Sequence, residues 1–205
     1  MRHLFLRSLK IKLPDLLISN KLRYLFSSDK KLYQSVKNIF GYYPGNIHLY
    51  KLALRHKSAT TRIVNGVRLN NERLEYLGDA ILSAIIADYL FKSFPYENEG
   101  FLTEMRSKIV SRVSLNKLSL KLGLQHLIRS GADPSSKAKS AGGDAFEALI
   151  GALYLDKGYN FTSKIIIHRI INIHFDMELL IESEISYKSK LNEWGQKEKR
   201  NVIFK

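Results

Sequence analysis

The chain has 205 residues and a formal net charge of +14, from 33 Lys and Arg against 19 Asp and Glu. Apolar residues make up 45% of the composition, which is enough to build a core and excludes a disordered chain. The chain contains no cysteine, which excludes disulfide scaffolds and thiolate metal sites and is compatible with a cytoplasmic location. The strong positive charge favours a polyanionic partner, nucleic acid first.

Helical periodicity runs through most of the chain, and Gly and Pro fall at the ends of the predicted helices. Helices are predicted, in chain order, over residues 28–41, 47–56, 72–93, 99–122, 142–156 and 159–181. Polar loops are predicted over residues 58–71 and 130–140. Strand-like alternation is scarce, and no apolar run approaches the ~20 residues that span a bilayer. We therefore expect an all-α fold and no membrane partner.

Acidic residues are concentrated in one part of this basic chain. Residues 72–104 hold seven acids and two bases. Glu72, Glu75 and Asp79 follow at i, i+3 and i+7, a spacing that places them on one side of a helix. A second predicted helix repeats the i, i+3 spacing with Asp144 and Glu147. Both helices are apolar nearly all round, so we expect them to be buried with their carboxylates directed into a crevice.

Small residues in the same two helices allow their backbones to approach closely. Gly78 interrupts the first helix and Gly151 the second, each at a cost of about 1 kcal/mol relative to Ala. The carboxylates that converge if these faces oppose each other are those of Glu75, Asp79, Asp144 and Glu147. Four ionised carboxylates need a compensating cation, and oxygen ligands favour Mg²⁺ or Mn²⁺ over zinc. In a polycationic chain, such a site indicates metal-assisted hydrolysis of a phosphodiester.

Simpler interpretations exist for each candidate residue. Acid pairs at i, i+3 are common on solvated helix faces, and Glu72 also suits the first turn of a helix for its interaction with the helix dipole. Composition and spacing therefore leave a solvated acid and a metal ligand both open. For His56, which lies between Arg55 and Lys57, a packed and hydrogen-bonded role is expected rather than that of a catalytic base.

Four blocks of the sequence resemble those of the ribonuclease III family. The block NERLEYLGDAIL, which begins at Asn71, closely resembles the hallmark segment of that family. The segment ALRHKSA at residues 53–59 resembles the preceding block, and EGFLTEMRSKIV at 99–110 resembles the next one. The last block is GDAFEALIGALYLD at residues 143–156. The four blocks follow in the same order as in the family, within residues 36–182.

The resemblance implies a fold, an activity and a set of site residues. The fold would be the all-helical endonuclease domain of the family, a dimeric helical bundle. It would hydrolyse double-stranded RNA, such as rRNA and mRNA precursors, with Mg²⁺ or substituting Mn²⁺, and leave 5′-phosphate and 3′-hydroxyl ends. The implied metal ligands are Glu75, Asp79, Asp144 and Glu147, and the implied catalytic residues are Asp79, Glu147, Glu72 and Glu99. A non-cleaving RNA-binding relative of the same fold is the alternative.

The sequence also predicts a domain organisation and a set of RNA contacts. Residues 1–27 are expected to form a basic extension, 28–184 the endonuclease domain, and 185–205 the incomplete start of a double-stranded-RNA-binding domain. The third segment includes SYKSKLNEWGQ, which resembles the first helix of such a domain. The candidate RNA contacts are Arg106, Lys108, Lys137, Lys139 and Gln196. A merely solvated charge is the alternative for each of the bases.

Overall fold

Helices make up nearly all of the computed structural model, which describes residues 24–25, 27–60, 63–64, 66–129, 131, 141–182, 194–195, 198 and 200. The helices are α1 (Lys30–Phe40), α2 (Ile47–Ala53), α3 (Glu72–Ser93), α4 (Glu99–Val110), α5 (Arg112–Lys121), α6 (Ala141–Lys157), α7 (Tyr159–Ile165), α8 (Asn172–His174) and α9 (Met177–Glu182). Short 3₁₀ turns span Lys57–Ala59 and Leu124–His126, and π-helical turns over Ile166–Ile171 join α7 to α8. The predicted all-α helical fold is confirmed.

A small antiparallel hairpin interrupts the polar loop before α3. Strand β1 (Ile63–Val64) pairs with β2 (Val67–Arg68). Gly66 in the turn has φ +77°, a left-handed conformation that glycine adopts without steric penalty. Strands of two residues are too short to show the alternation by which strands are predicted from sequence, so only a loop was expected here.

The single helix predicted over residues 99–122 is two helices, α4 and α5. Ser111 between them has extended backbone (φ −60°, ψ 146°), and its hydroxyl accepts a hydrogen bond from the Ser114 N–H at 3.2 Å. Ser111 is therefore the N-cap of α5. The helix predicted over 159–181 also ends early, because Phe175 between α8 and α9 is extended (φ −119°, ψ 125°).

Helices α3 and α6 form the centre of the bundle. Helix α6 is buried along most of its length, from Ala141 to Leu153. Helix α3 buries only one side, which carries Leu74, Leu82, Ile85, Ile86 and Leu90. On its other side Tyr76 is 81% and Phe91 70% exposed, so the expectation of a helix buried all round is wrong for α3. Within the described residues, no helix is long and apolar enough to cross a membrane.

Hydrogen bonds hold α6 near both of its ends. Near its start, the Gly143 N–H donates to the Asn116 side chain of α5 at 2.8 Å. Near its end, the Asp156 carboxylate accepts hydrogen bonds from the backbone N–H groups of Gly45 (2.9 Å) and Asn46 (3.0 Å) and from the Tyr50 hydroxyl (3.2 Å). The Asp156 side chain is only 5% exposed, so these donors compensate a buried carboxylate.

Candidate active site

The backbones of α3 and α6 meet at two glycines. A Cβ atom on Gly78 would collide with the backbone carbonyl of Glu147, and one on Gly151 would collide with the carbonyl of Leu74. No other residue type fits at either position without moving a helix apart from its neighbour. The close approach predicted from these two glycines is confirmed.

This crossing brings the four predicted metal ligands to one pocket. The pocket has a volume of about 270 Å³ and is lined by Glu75, Asp79, Val110, Arg112, Leu115, Gly143, Asp144 and Glu147. Helix α3 supplies two of its carboxylates and α6 the other two. The structure thus places carboxylates from segments some seventy residues apart around one pocket. This is the convergence expected if the acidic faces of the two helices oppose each other.

Burial and neighbouring acids raise the pKa values of two of the pocket carboxylates, Glu75 and Glu147. The pKa of Glu147 rises from 4.5 to about 7, first because of burial and then because of the negative charges of Asp79, Glu75 and Asp144. Burial, followed by the charges of Asp144 and Glu72, also raises the pKa of Glu75. Nearby positive charge opposes both shifts, from Arg112 in each case and also from Lys57 for Glu75. The pocket therefore carries more negative charge than its own bases neutralise.

The donor set of this pocket fits a hard divalent cation. Among the described lining residues, the charged groups that could coordinate are carboxylates, whose oxygens Mg²⁺ and Mn²⁺ accept, and burial followed by neighbouring acids raises the pKa of Glu147. Over the described ranges, no three His, Cys, Asp or Glu side chains are grouped as a metal site requires. The carboxylates thus share a pocket without meeting at one point.

Glu72 lies beside the pocket and does not line it. Its Oε2 accepts a hydrogen bond from the Asn70 amide at 2.8 Å, while its backbone N–H donates to the Asn70 side-chain oxygen at 3.1 Å. Its Oε1 lies 3.6 Å from the Lys57 ammonium. Asn70 is 5% exposed, so a buried side chain holds this more exposed carboxylate in place.

Glu99 lies in the first turn of α4, and it is not one of the residues that line the pocket. Its Oε1 accepts a hydrogen bond from the Thr103 hydroxyl at 3.1 Å, and the Asn98 side chain caps the same turn by accepting from the Phe101 N–H at 3.0 Å. The described residues of this single chain thus do not bring Glu99 into the pocket with the four central carboxylates. Its predicted catalytic role stays a prediction.

The predicted RNA contacts fall into two groups. Lys137, Lys139 and Gln196 lie outside the described residues. Arg106 and Lys108 lie on α4, where Arg106 is half-buried. The Lys108 ammonium lies 2.7 Å from Glu104 Oε1 and donates to the Leu180 carbonyl at 2.8 Å, with only 14% of its side chain exposed. Lys108 thus links α4 to α9, a structural role that needs no phosphate.

Arg112 and Asn116 were not predicted from the sequence as residues of the site, whereas a hydrogen-bonded role was predicted for His56. Arg112 lines the pocket from the start of α5, and Asn116 fixes the start of α6 through the Gly143 N–H. The one local signal for Arg112 is Ser111, an N-cap residue type that marks a helix start. His56 Nδ1 accepts the Ser58 N–H at 3.3 Å and caps a 3₁₀ turn, which agrees with the expected hydrogen-bonded role of this half-buried side chain.

We expect the charge of Glu147 to lower the stability of the metal-free chain as pH rises. Because its pKa is raised in the folded state, the stabilisation from proton binding is complete below about pH 4.5 and is lost as pH passes about 7. The urea midpoint of wild type minus that of Glu147→Gln should therefore be lower at pH 8 than at pH 5. All midpoints are measured in EDTA. An equal difference between the two proteins at both pH values would contradict this.

Comparisons with known proteins agree with the geometry. The family model described as ribonuclease-III-like matches residues 46–173. The chain is 48% identical over 185 residues to ribonuclease 3 of Bacteroides thetaiotaomicron, covering 90% of this chain and 60% of the relative. It is 47% identical to ribonuclease 3 of Azobacteroides pseudotrichonymphae, covering 91% and 71%. This chain spans less than two thirds of the Bacteroides relatives, at 60% and 64% of their lengths.

Solved structures show the same relationship. The nuclease domain of ribonuclease III from Campylobacter jejuni superposes with a TM-score of 0.60 at 32% identity, covering 67% of this chain and 94% of that one. A second structure of that domain gives a TM-score of 0.57 at 31% identity, covering 78% and 100%. With its four sequence blocks in order and two of them supplying one acidic pocket, the chain belongs to the ribonuclease-III-like family.

Proposed function

We propose that the chain is an endoribonuclease that hydrolyses double-stranded RNA with a divalent cation, leaving 5′-phosphate and 3′-hydroxyl ends. The observation that carries this proposal is the pocket where α3 and α6 place four carboxylates in a chain of net charge +14. The net positive charge attracts a polyanion, and the acidic pocket supplies a place where a cation would offset the charge of four carboxylates. Precursor rRNA and mRNA, and a cytoplasmic location, stay predictions from the sequence.

The residues in and around the pocket would have different roles in hydrolysis. Glu75, Asp79, Asp144 and Glu147 would hold Mg²⁺ or Mn²⁺, which when bound lowers the pKa of water and neutralises charge on the leaving oxygen. In the hydrolysis, oxygen from water bonds to phosphorus, the bond from phosphorus to the 3′-oxygen breaks, and that oxygen takes up a proton. The Gly78 and Gly151 contacts hold the two acidic faces at a fixed separation. Glu72 and Glu99 are proposed to assist from outside the central four.

A cleavage assay tests this function. We expect a labelled RNA duplex to be cut with Mg²⁺ or Mn²⁺ at low salt, and to remain intact with EDTA, whereas the matching single strand is spared. The 5′ ends of the products should accept label from a kinase only after phosphatase treatment. Duplex that is bound but not cut with Mg²⁺ would favour the non-cleaving RNA-binding relative.

We propose that the exposed side of α3 forms a homodimer. Tyr76, Ala80 and Ala84 follow at i, i+4 and i+8 and are exposed, and Phe91 continues this apolar side. A large apolar surface on a central helix is typical of an interface. One of the two Campylobacter jejuni structures concerns a region involved in dimer formation of that nuclease domain. A twofold dimer would present two pockets, one for each strand of the duplex.

Tyr76→Asp is expected to make the chain monomeric. A buried aromatic anchor at an interface contributes at least about 2 kcal/mol, and a carboxylate in its place adds a desolvation cost. Sedimentation velocity should show a dimer for wild type and a monomer for this variant at the same concentration. Tyr96→Asp is the matched control, since Tyr96 is 99% exposed and lies in the loop after α3. A dimeric Tyr76→Asp would refute the proposed face.

The domain division is likewise proposed. The endonuclease domain would span residues 28–184, between a basic extension (1–27) and the start of an RNA-binding segment (185–205). The fold supports the central part, because the core cluster runs from Tyr33 to Ile171. Most of the two flanking segments lies outside the described residues.

A further inference from the structure

We propose that Arg112 is the internal counter-charge of the acidic pocket. It balances the carboxylates while no divalent cation is bound, and its guanidinium binds a phosphate of the substrate once a cation has taken its place. This inference rests on the proposed function, and it assigns a binding role to a residue outside the acidic set.

Arg112 lies at the edge of the acidic pocket, near one of its carboxylates. It is the first residue of α5, directly after the N-cap Ser111, and it lines the pocket. Among the described residues that line this pocket, it is the one with a positive charge. The guanidinium nitrogen lies 3.9 Å from Asp144 Oδ1, a distance at which the charges attract without a hydrogen bond. The side chain is 74% exposed, so it can leave the carboxylate at low cost.

Arg112 faces acids of both helices. It lines the same pocket as Glu75 and Asp79 of α3 and Asp144 and Glu147 of α6. Its positive charge thus lies in the space where a cation would contact the same carboxylates. A divalent ion that enters the same space is repelled by the guanidinium, so the two positive groups compete for the carboxylates.

The proposed substrate also requires a positive charge beside the pocket. A phosphodiester placed for hydrolysis beside four carboxylates is repelled by them, and a base beside the pocket offsets that repulsion. Guanidinium donates in a planar fork that matches two phosphate oxygens, which ammonium cannot do. Lys57, a nearby base, lies 3.6 Å from Glu72 and is not one of the residues that line the pocket. The geometry therefore assigns the phosphate to Arg112.

A metal titration without RNA tests the first half of the proposal. Mn²⁺ binding, followed by loss of the free-ion electron paramagnetic resonance signal, should be about three- to tenfold tighter for Arg112→Ala than for wild type, since a competing charge is removed. Arg112→Lys keeps the charge and should bind Mn²⁺ like wild type. Lys92→Ala is the matched control, because this exposed base pairs with Asp88 on α3 and makes the same change in net charge. Equal or weaker Mn²⁺ binding by Arg112→Ala would refute the counter-charge role.

Duplex binding in Ca²⁺, which avoids any need for cleavage, tests the second half. Arg112→Ala should bind an RNA duplex about tenfold more weakly than wild type. The slope of log affinity against log salt concentration should also decrease in magnitude by about one, as expected for one lost phosphate contact. Arg112→Lys should restore the slope and only part of the affinity. An unchanged slope in Arg112→Ala would refute the phosphate contact.

These measurements separate this proposal from the proposed function. If wild type cuts duplex RNA while Arg112→Ala matches it in Mn²⁺ affinity and salt slope, the endonuclease proposal stands and the role of Arg112 is wrong. If wild type does not cut but the Arg112 variants behave as expected, the pocket binds cation and phosphate without hydrolysing RNA. Melting curves of the variants report folding, and the exposure of Arg112 predicts that they resemble wild type.

Discussion

Glu147→Gln is expected to abolish cleavage of duplex RNA while leaving duplex binding intact in Ca²⁺. Glu147 faces the pocket from the middle of the α3–α6 crossing, and its pKa is raised to about 7 by burial and by three neighbouring acids. Gln keeps the size of the side chain and removes the charge that a divalent cation needs there. We expect a loss of at least about a thousandfold in kcat, as when a key group that stabilises transition-state charge is removed.

The matched control is Glu97→Gln, which makes the same chemical change at an exposed acid in the loop between α3 and α4. Rates for both variants should be measured under single-turnover conditions, with duplex affinity determined separately in Ca²⁺. A Glu147→Gln variant that retains more than about a tenth of the wild-type rate would exclude Glu147 from the reaction. Loss of duplex affinity together with activity would instead indicate a binding or folding role.

Gly78→Ala is expected to destabilise the fold more than any surface substitution. Its new methyl group would overlap the backbone carbonyl of Glu147, and a backbone atom cannot rotate away as a side chain can. The helices must then separate, which reduces packing in the centre of the core. We expect the free energy of unfolding to fall by about 3 kcal/mol, at the upper end of overpacking effects. Urea unfolding followed by circular dichroism measures this change.

Gly100→Ala on α4 provides the comparison. Its added methyl group would meet only the end of the Asn98 side chain, at 3.2 Å, and the higher helix propensity of Ala offsets that contact. We expect a change within about 1 kcal/mol for this variant. If Gly78→Ala unfolds at the same urea concentration as Gly100→Ala, the helix crossing tolerates a wider spacing, and the geometric role assigned to the glycines is wrong.

Local signals predicted the elements that carry the pocket. Helix α3 was predicted with its observed bounds, since asparagines precede it and a Phe–Pro pair follows it. The convergence of α3 and α6 followed from Gly78 and Gly151, because small residues at matching places in two apolar helices indicate close packing. The convergence of the four carboxylates could thus be expected from residue type and spacing, whereas these left open whether the acids are solvated or bind a metal.

Features that depend on contacts between distant segments could not be predicted in the same way. The break at Ser111 leaves the apolar periodicity intact, so α4 and α5 were predicted as one helix. Arg112 gains its importance from Asp144, a contact that no local pattern encodes. The exposed side of α3 was predicted to be buried, because composition does not distinguish a side that packs inside one chain from a side that remains open in a single chain.

The hydrogen bonds near the two ends of α6 limit how the pocket can respond to charge. Asn116 holds its first turn through Gly143, and Asp156 ties its last turn to the backbone of Gly45 and Asn46. These bonds oppose a slide of α6 along α3 that would move the carboxylates apart. We therefore expect electrostatic repulsion to be relieved by rotation of side chains and by protons or ions, and an exchange between cations of different radius to leave the main chain in place.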